Sequence, residues 1–382
     1  MREGLFANAV ECNKLINTPL QTITQAINTR VIISKFLRLS QVHSTATFIA
    51  FSKNLSDICH EGPFGLLLSD MKRREFYKGI LNHCYQRTAD DGVLFYSYSD
   101  HLVYFTHYCL LARKYGIQVL SLCQMPDHIH DSIKAKRKKD MALFKRQVNT
   151  DFSRSRNRWC KTKGPVLRLR YGSKPKPGDK KGRTNLIYVG NNPVERRLVE
   201  RAEQYRWNYL AYAENDHPFS EKLVIRNARW PLQKAVKEVR TMFKAGKPLN
   251  YAQLNRLFNP LTREEGLQLT DFIIDTYNCI DYEEAIRFFD SYEDMLISLH
   301  ATTGSEHDIN EAFVGKSDVP YTQMASFLLK NDLVKDIHDI LSMTTEEKYD
   351  LFLKIKPHTD AFDEQIAKFL HMPLKKASDG RD

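Results

Sequence analysis

His128 and His130 are separated by one residue, Tyr188 and Asn192 by three. On a strand, side chains two apart leave by the same face. His128-Ile129-His130 would therefore set two imidazoles side by side and turn Ile129 toward a core. Two imidazoles can grip one divalent cation and leave positions open for water or substrate oxygens. On a helix, residues four apart share a face, so Asn192 can offer its amide oxygen to the centre that Tyr188 faces. Pro193 follows at once and ends or bends that helix. Each pattern has a plainer alternative, a structural histidine pair and a half-buried packing tyrosine. A zinc hydrolase would need a third strong ligand, and the sequence has no H-E-x-x-H run.

The elements that must position these residues can be read from local pattern. Residues 46–52 (TFIAF) and 117–123 (IQVLSLC) read as strands, the second leading through Met125-Pro126-Asp127 into His128-Ile129-His130. Helical spacing covers 76–86, 102–115 with Gly116 as its C-terminal cap, 141–152, the LIYVGNN stretch around Tyr188, 195–213 and 231–243. Residues 172–182 (GSKPKPGDKKG) read as a mobile loop that would let the tyrosine helix shift. Residues 1–40 carry an apolar stripe (Leu15, Ile16, Leu20, Ile23, Ile27) interrupted by Pro19. Gly246-Lys247-Pro248 marks a break, after which the chain reads as almost wholly helical.

Charge is unevenly spread. The overall +11 hides a basic middle, with 19 Lys and Arg against 3 Asp over 134–183, and an acidic tail, with 12 basic against 25 acidic residues over 262–382. Basic stretches neutralise phosphates and release counterions, so the middle is the candidate nucleic-acid surface. Lys134, Lys136, Arg137, Lys138 and Lys139 follow the histidines; Arg154, Arg156, Arg158 and Trp159 form a second cluster, and Arg168 and Arg170 a third. Phe144, Phe152, Trp159 and Tyr171 are interleaved with them as possible stacking platforms for unpaired bases. The seven cysteines (Cys12, Cys59, Cys84, Cys109, Cys123, Cys160, Cys279) are scattered, with no C-x-x-C pair, as in a reduced cytoplasmic protein. A signal peptide and a run long enough to span a membrane are both missing from the sequence, so no membrane association is expected.

MPDHIH (Met125 to His130) and YVGNNPVE (Tyr188 to Glu195) together resemble the two motifs of the HUH single-tyrosine transposases, and most of all the REP-associated tyrosine transposases. KYGIQVLSLCQ before the histidines, GPVLRLRYGSK before the tyrosine and YRWNYLAYA after it agree, and the resemblance covers roughly residues 45–213. It implies an α+β fold, a ferredoxin-like or RRM-like antiparallel sheet with packed helices. His128, His130 and Asn192 would hold Mg²⁺ or Mn²⁺, and Tyr188 would be the nucleophile. The implied activity is cleavage and rejoining of single-stranded DNA beside a hairpin, through a 5′-phosphotyrosine link, with a possible homodimer and a nucleoid-associated setting. The sequence departs from the family at Asp127, where Asn is commoner, and at Asp131-Ser132-Ile133, where an apolar run is usual. It also extends well past the family core at its C-terminus.

The organisation expected is an N-terminal extension (1–40), a catalytic domain (41–215), a helical connector (216–260) and an acidic, all-helical C-terminal domain (261–382). Within the last, Glu364 to Leu370 resembles the first helix of a helix-turn-helix, with His371-Met372-Pro373 as its turn; only LKKASDGRD follows, so the motif reads as degenerate, and the acidic surface fits a protein-interaction or self-regulatory role as well. Two other functions remain open: a domesticated, non-cleaving DNA-binding protein, and a different HUH nuclease of replication-initiator or relaxase type.

Overall fold

The computed structural model describes residues 75–301, 315 and 317–372. The readings made for residues 1–40 and 46–52, for Cys12 and Cys59, and for the chain after Met372 lie outside them. The first six elements run β1 (Leu81–Arg87), α1 (Tyr98–Tyr115), β2 (Gln118–Gln124), β3 (His128–Lys134), α2 (Lys138–Cys160) and β4 (Gly172–Lys176). The strands form one antiparallel sheet in the order β2-β3-β1-β4. A βαββαβ chain with β1 and β2 split by β3 is the ferredoxin-like arrangement, so the expected α+β class and sheet type are present.

Local chemistry explains most of these elements. Ser97 and Asp100 form a capping box at the start of α1, and Gly116 ends it at φ 61°. The alternation in β3 sends Ile129, Asp131 and Ile133 toward α1 and α2, and His128, His130 and Ser132 toward the opposite face. Phe144, Val148 and Phe152 of α2 fill the first of these layers. The opposite face is covered by α3 (Asp179–Glu195), whose Leu186 and Ile187 pack on Leu81 and Leu120.

Three local expectations are corrected. Residues 81–87 form a central strand, not a helix; Asn82, His83, Cys84 and Gln86 are all buried between layers, and ladder pairing to β3 and β4 overrides the helical spacing. Residues 172–182 are not a loop. They form edge strand β4 and the first turn of α3, joined by Pro177-Gly178, with Gly178 at φ 78°. An edge strand tolerates Pro175, and a Cβ at Gly172 would lie 1.8 Å from Tyr85 Cε1. Residues 202–213 make three short 3-10 turns in place of a helix, with Tyr209 at φ 61°. Asn208 drives this: it donates to Ala202 O (2.5 Å) and accepts from Leu210 N (3.0 Å), side-chain bonds that displace helical ones. Pro193 also sits inside α3, which runs on to Glu195.

Further helices wrap this sheet. α4 (Trp230–Lys244), α5 (Tyr251–Phe258) and α6 (Arg263–Tyr277) share one apolar cluster with α1 and α2, so that the cluster continues across Gly246-Lys247-Pro248. α7 (Tyr282–Ile286) and α8 (Tyr292–Ala301) pack on α3 through Ala285, Met295 and Leu299. α9 (Val319–Lys330), α10 (Thr345–Ile355) and α11 (Asp363–Phe369) gather a separate cluster around Met324, Leu328, Ile355 and Phe369, which takes in Val93. No described helix is long and apolar enough to cross a membrane.

Candidate active site

β3 and α3 bring His128, His130 and Tyr188 together. The His128 and His130 rings stand 4.8 Å apart, edge to face, and the Tyr188 ring is 5.4 Å from that of His130. Asn192 lies one turn beyond Tyr188 and donates its Nδ2 to Tyr188 O at 2.9 Å, which leaves its amide oxygen as the atom a cation would take. α3 is held on this face by Ser132 Oγ donating to Asn185 Oδ1 (3.3 Å), and Asn191 Nδ2 ties it to α8 by donating to Leu299 O (2.8 Å). Tyr188 packs with Cys123, Met125 and Val189. The whole group is buried, with His128 at 1%, His130 at 0%, Tyr188 at 4% and Asn192 at 1% exposure.

A third imidazole completes the group. His83 sits on β1 opposite Ser132, and its Nε2 lies 2.9 Å from His130 Nδ1. Its ring is 5.4 Å from that of Tyr188. The reading of residues 76–86 as helix hid this residue. Taken as a strand beside β3, the same stretch places His83 on the face of His128 and His130.

Second contacts orient the imidazoles. His128 Nδ1 is 2.5 Å from Asp127 Oδ1, and His130 Nδ1 is engaged by His83. In both rings Nε2 is then the nitrogen a metal would take, with the outer partner fixing tautomer and ring orientation. Burial opposes charge on Asp127, but His128 and Lys368 outweigh it and hold the carboxyl well below the usual carboxylate range. Among the described residues, no group of three or more His, Cys, Asp or Glu is arranged to hold a metal ion. The donors that would serve are the two imidazoles, the Asn192 amide oxygen, and oxygens from water or substrate, which would leave the site open, unlike a closed zinc site.

The basic residues divide. Lys136, Arg137, Lys138 and Lys139 are exposed, at the end of β3 far from His128, and Arg137 pairs with Asp140 at 2.8 Å. Lys134 is drawn to Glu284 (2.6 Å). Arg154 and Arg158 are exposed on α2, Arg170 is exposed, and Arg168 pairs with Asp91. Arg156 instead is 3% exposed and reaches toward Val93 O. Phe144, Phe152 and Tyr171 are core residues, and Trp159 stacks on Tyr251 at 5.8 Å. Packing thus takes Phe144, Phe152 and Tyr171 from the expected stacking surface and half-buries Trp159 against Tyr251. Arg146, Arg154 and Arg168 line one groove of about 250 Å³ with Ser153 and Asn157. Arg146, one α-helical turn pair before Arg154, was missed by reading charge runs without helical phase.

No protein-family model matches the chain, and no curated protein matches it. Among solved structures it is similar in part to a REP-associated tyrosine transposase bound to a REP hairpin, with 15% identity and a TM-score of 0.32 over 36% of this chain and 81% of that one. The motif residues and their geometry, not this likeness, carry the functional conclusion.

Proposed function

We propose that this protein cleaves and rejoins single-stranded DNA, with Tyr188 as nucleophile and His128, His130 and Asn192 holding Mg²⁺ or Mn²⁺. The observation that carries this reading is the convergence of Tyr188 on His128 and His130 from a separate element, α3, with ring separations near 5 Å. The metal, when bound, would neutralise non-bridging phosphate oxygens and offset charge developing at phosphorus.

The rest of the chemistry falls to the chain. Tyr188 Oη forms a bond to phosphorus and gives its proton to solvent. The P–O3′ bond breaks, and the departing 3′ oxygen takes a proton. The products are a 5′-phosphotyrosine link and a free 3′-OH, so the phosphodiester energy is kept and a 3′-OH can reverse the step without ATP. The exposed residues of the Arg146–Arg154–Arg168 groove and of Lys136 to Lys139 would take backbone phosphates. Because Tyr188 is 4% exposed, DNA can meet it only after the ring or α3 moves. Its burial also favours a second reading, a non-cleaving DNA-binding protein built on the same frame.

The experiment uses labelled hairpin-bearing single strands, Mn²⁺ and a denaturing protein gel. A labelled band that disappears in Tyr188→Phe and His128→Ala supports cleavage. Salt-sensitive binding with no band over a panel of hairpins supports the second reading.

A further inference from the structure

The C-terminal helices reach the candidate site. Lys368 of α11 places its Nζ on Asp127 Oδ2, while Asp127 Oδ1 faces His128 Nδ1 at 2.5 Å. The two charged side chains are largely enclosed, at 13% and 10% exposure. A buried carboxylate needs a paired charge and bonds to both oxygens. Here one oxygen is used by the C-terminal helix and the other by a histidine of the site.

The contact is built into a rigid stack. Leu94 N and Phe95 N both donate to Pro126 O, at 2.7 and 2.9 Å, tying residues 94–95 to the segment that carries Asp127. From the other side Val93 N donates to Lys368 O (3.3 Å), Tyr96 OH to Phe369 O (2.5 Å), and His371 Nε2 lies 2.9 Å from Val93 O. Phe369 and Leu370 are buried beside Val93. Lys368 is therefore held by backbone bonds and apolar packing, not by its own flexible stem.

We propose that Lys368 is a positioning residue for the candidate metal site. It holds the Asp127 carboxylate, and Asp127 in turn fixes the His128 ring with Nε2 toward the site. This rests on the metal-site reading above. The C-terminal helical unit is then part of the site's support.

The test measures Mn²⁺ binding to the full chain by the electron paramagnetic resonance signal of free Mn²⁺, and the His128 tautomer by ¹⁵N NMR of the metal-free protein. Lys368→Met should weaken Mn²⁺ binding about tenfold, at the lower end of the effect of losing an outer-shell partner. Lys368→Arg should stay within about threefold of wild type. Asp127→Asn should remove the dependence on Lys368, because an amide oxygen accepts from His128 Nδ1–H without a compensating cation. In the metal-free protein, the Nδ1–H tautomer of His128 should be lost in Lys368→Met and recovered in the Asp127→Asn, Lys368→Met double variant. If wild type binds no Mn²⁺ yet the tautomer follows this pattern, the metal reading fails and the positioning role stands. If Lys368→Met keeps both the affinity and the tautomer of wild type, or the double variant recovers neither, the positioning role is overturned.

Discussion

Arg154 and Arg156, two residues apart on α2, face opposite ways. Arg154 is exposed in the groove with Arg146 and Arg168, whereas Arg156 is 3% exposed, donates to Val93 O and lies over the Tyr96 ring at 5.8 Å. A helix turns about 100° per residue, so neighbours two apart nearly oppose one another. The two substitutions should therefore separate. Arg154→Ala should leave the unfolding midpoint unchanged and reduce the slope of log K against log salt for a single strand by about 0.7. Arg156→Ala should destabilise by roughly 2–3 kcal/mol and leave that slope unchanged. Salt titrations and urea melts of both variants check this.

His338 bridges the C-terminal helices to the start of α1, with Nε2 2.9 Å from both Asp100 oxygens and Nδ1 2.6 Å from Asp336. Burial works against its charge, but Asp100 and Asp336 outweigh it and raise its pKa to about 9. A folded pKa raised above the unfolded value of about 6.5 gives stability that is full below pH 6.5 and lost as pH rises through about 9. Asp100 works in the other direction: burial resists its charge, His338 overcomes that, and its depressed pKa gives stability present above about pH 4 and lost on acidification. Resistance to urea should thus fall steadily from about pH 6.5 to about pH 9, and His338→Gln should flatten that arm. An unchanged alkaline arm in His338→Gln would refute the assignment.

Asp131 and Lys145 pair in the core between β3 and α2, at 0% and 2% residue exposure, with Tyr108 OH donating to Asp131 Oδ2 at 2.9 Å. Lys145→Met leaves a buried carboxylate without its cation and should cost about 3–5 kcal/mol. Adding Asp131→Leu should recover most of that loss, since apolar replacement of a whole buried pair is near neutral or stabilising. Denaturant midpoints of the single and double variants decide it.

His83 engages His130 across the β1–β3 ladder. His83→Phe should keep the fold and lower Mn²⁺ affinity about tenfold. His83→Gln, which can still accept a bond from His130 Nδ1–H, should retain most of it. Calorimetric titration of Mn²⁺ into each variant separates the two.

Much of this site could be read locally. β2, β3, α1 with its Gly116 cap, and α3 around Tyr188 follow from apolar period and capping chemistry, and the facing of His128 and His130 follows from strand alternation alone. What could not be read depends on distant partners. The stretch Asn82-His83-Cys84-Tyr85-Gln86 lacks alternation because Asn82, Cys84 and Gln86 on one face and His83 on the other are all buried, with Tyr85 alone exposed, and Gln86 finds its partner far along the chain, its Nε2 donating to Arg168 O at 2.6 Å. Arg156 looks like its neighbours in sequence and differs only in helical phase. Asp131 resembles a surface residue until Lys145 and Tyr108 are placed around it.

The contact between Asp127 and Lys368 also has a timing. The two are 241 residues apart, so at about 5–20 residues per second a ribosome delivers Lys368 roughly 12–48 s after Asp127. Throughout that interval the strand pair β2–β3 can form, but the carboxylate next to His128 has no lysine to meet. A chain released upstream of α11, by a stalled ribosome or a nonsense codon, would carry both histidines and the tyrosine without Lys368 beside Asp127. The placement of that anchor so far downstream makes the setting of Asp127 depend on synthesis having passed α11.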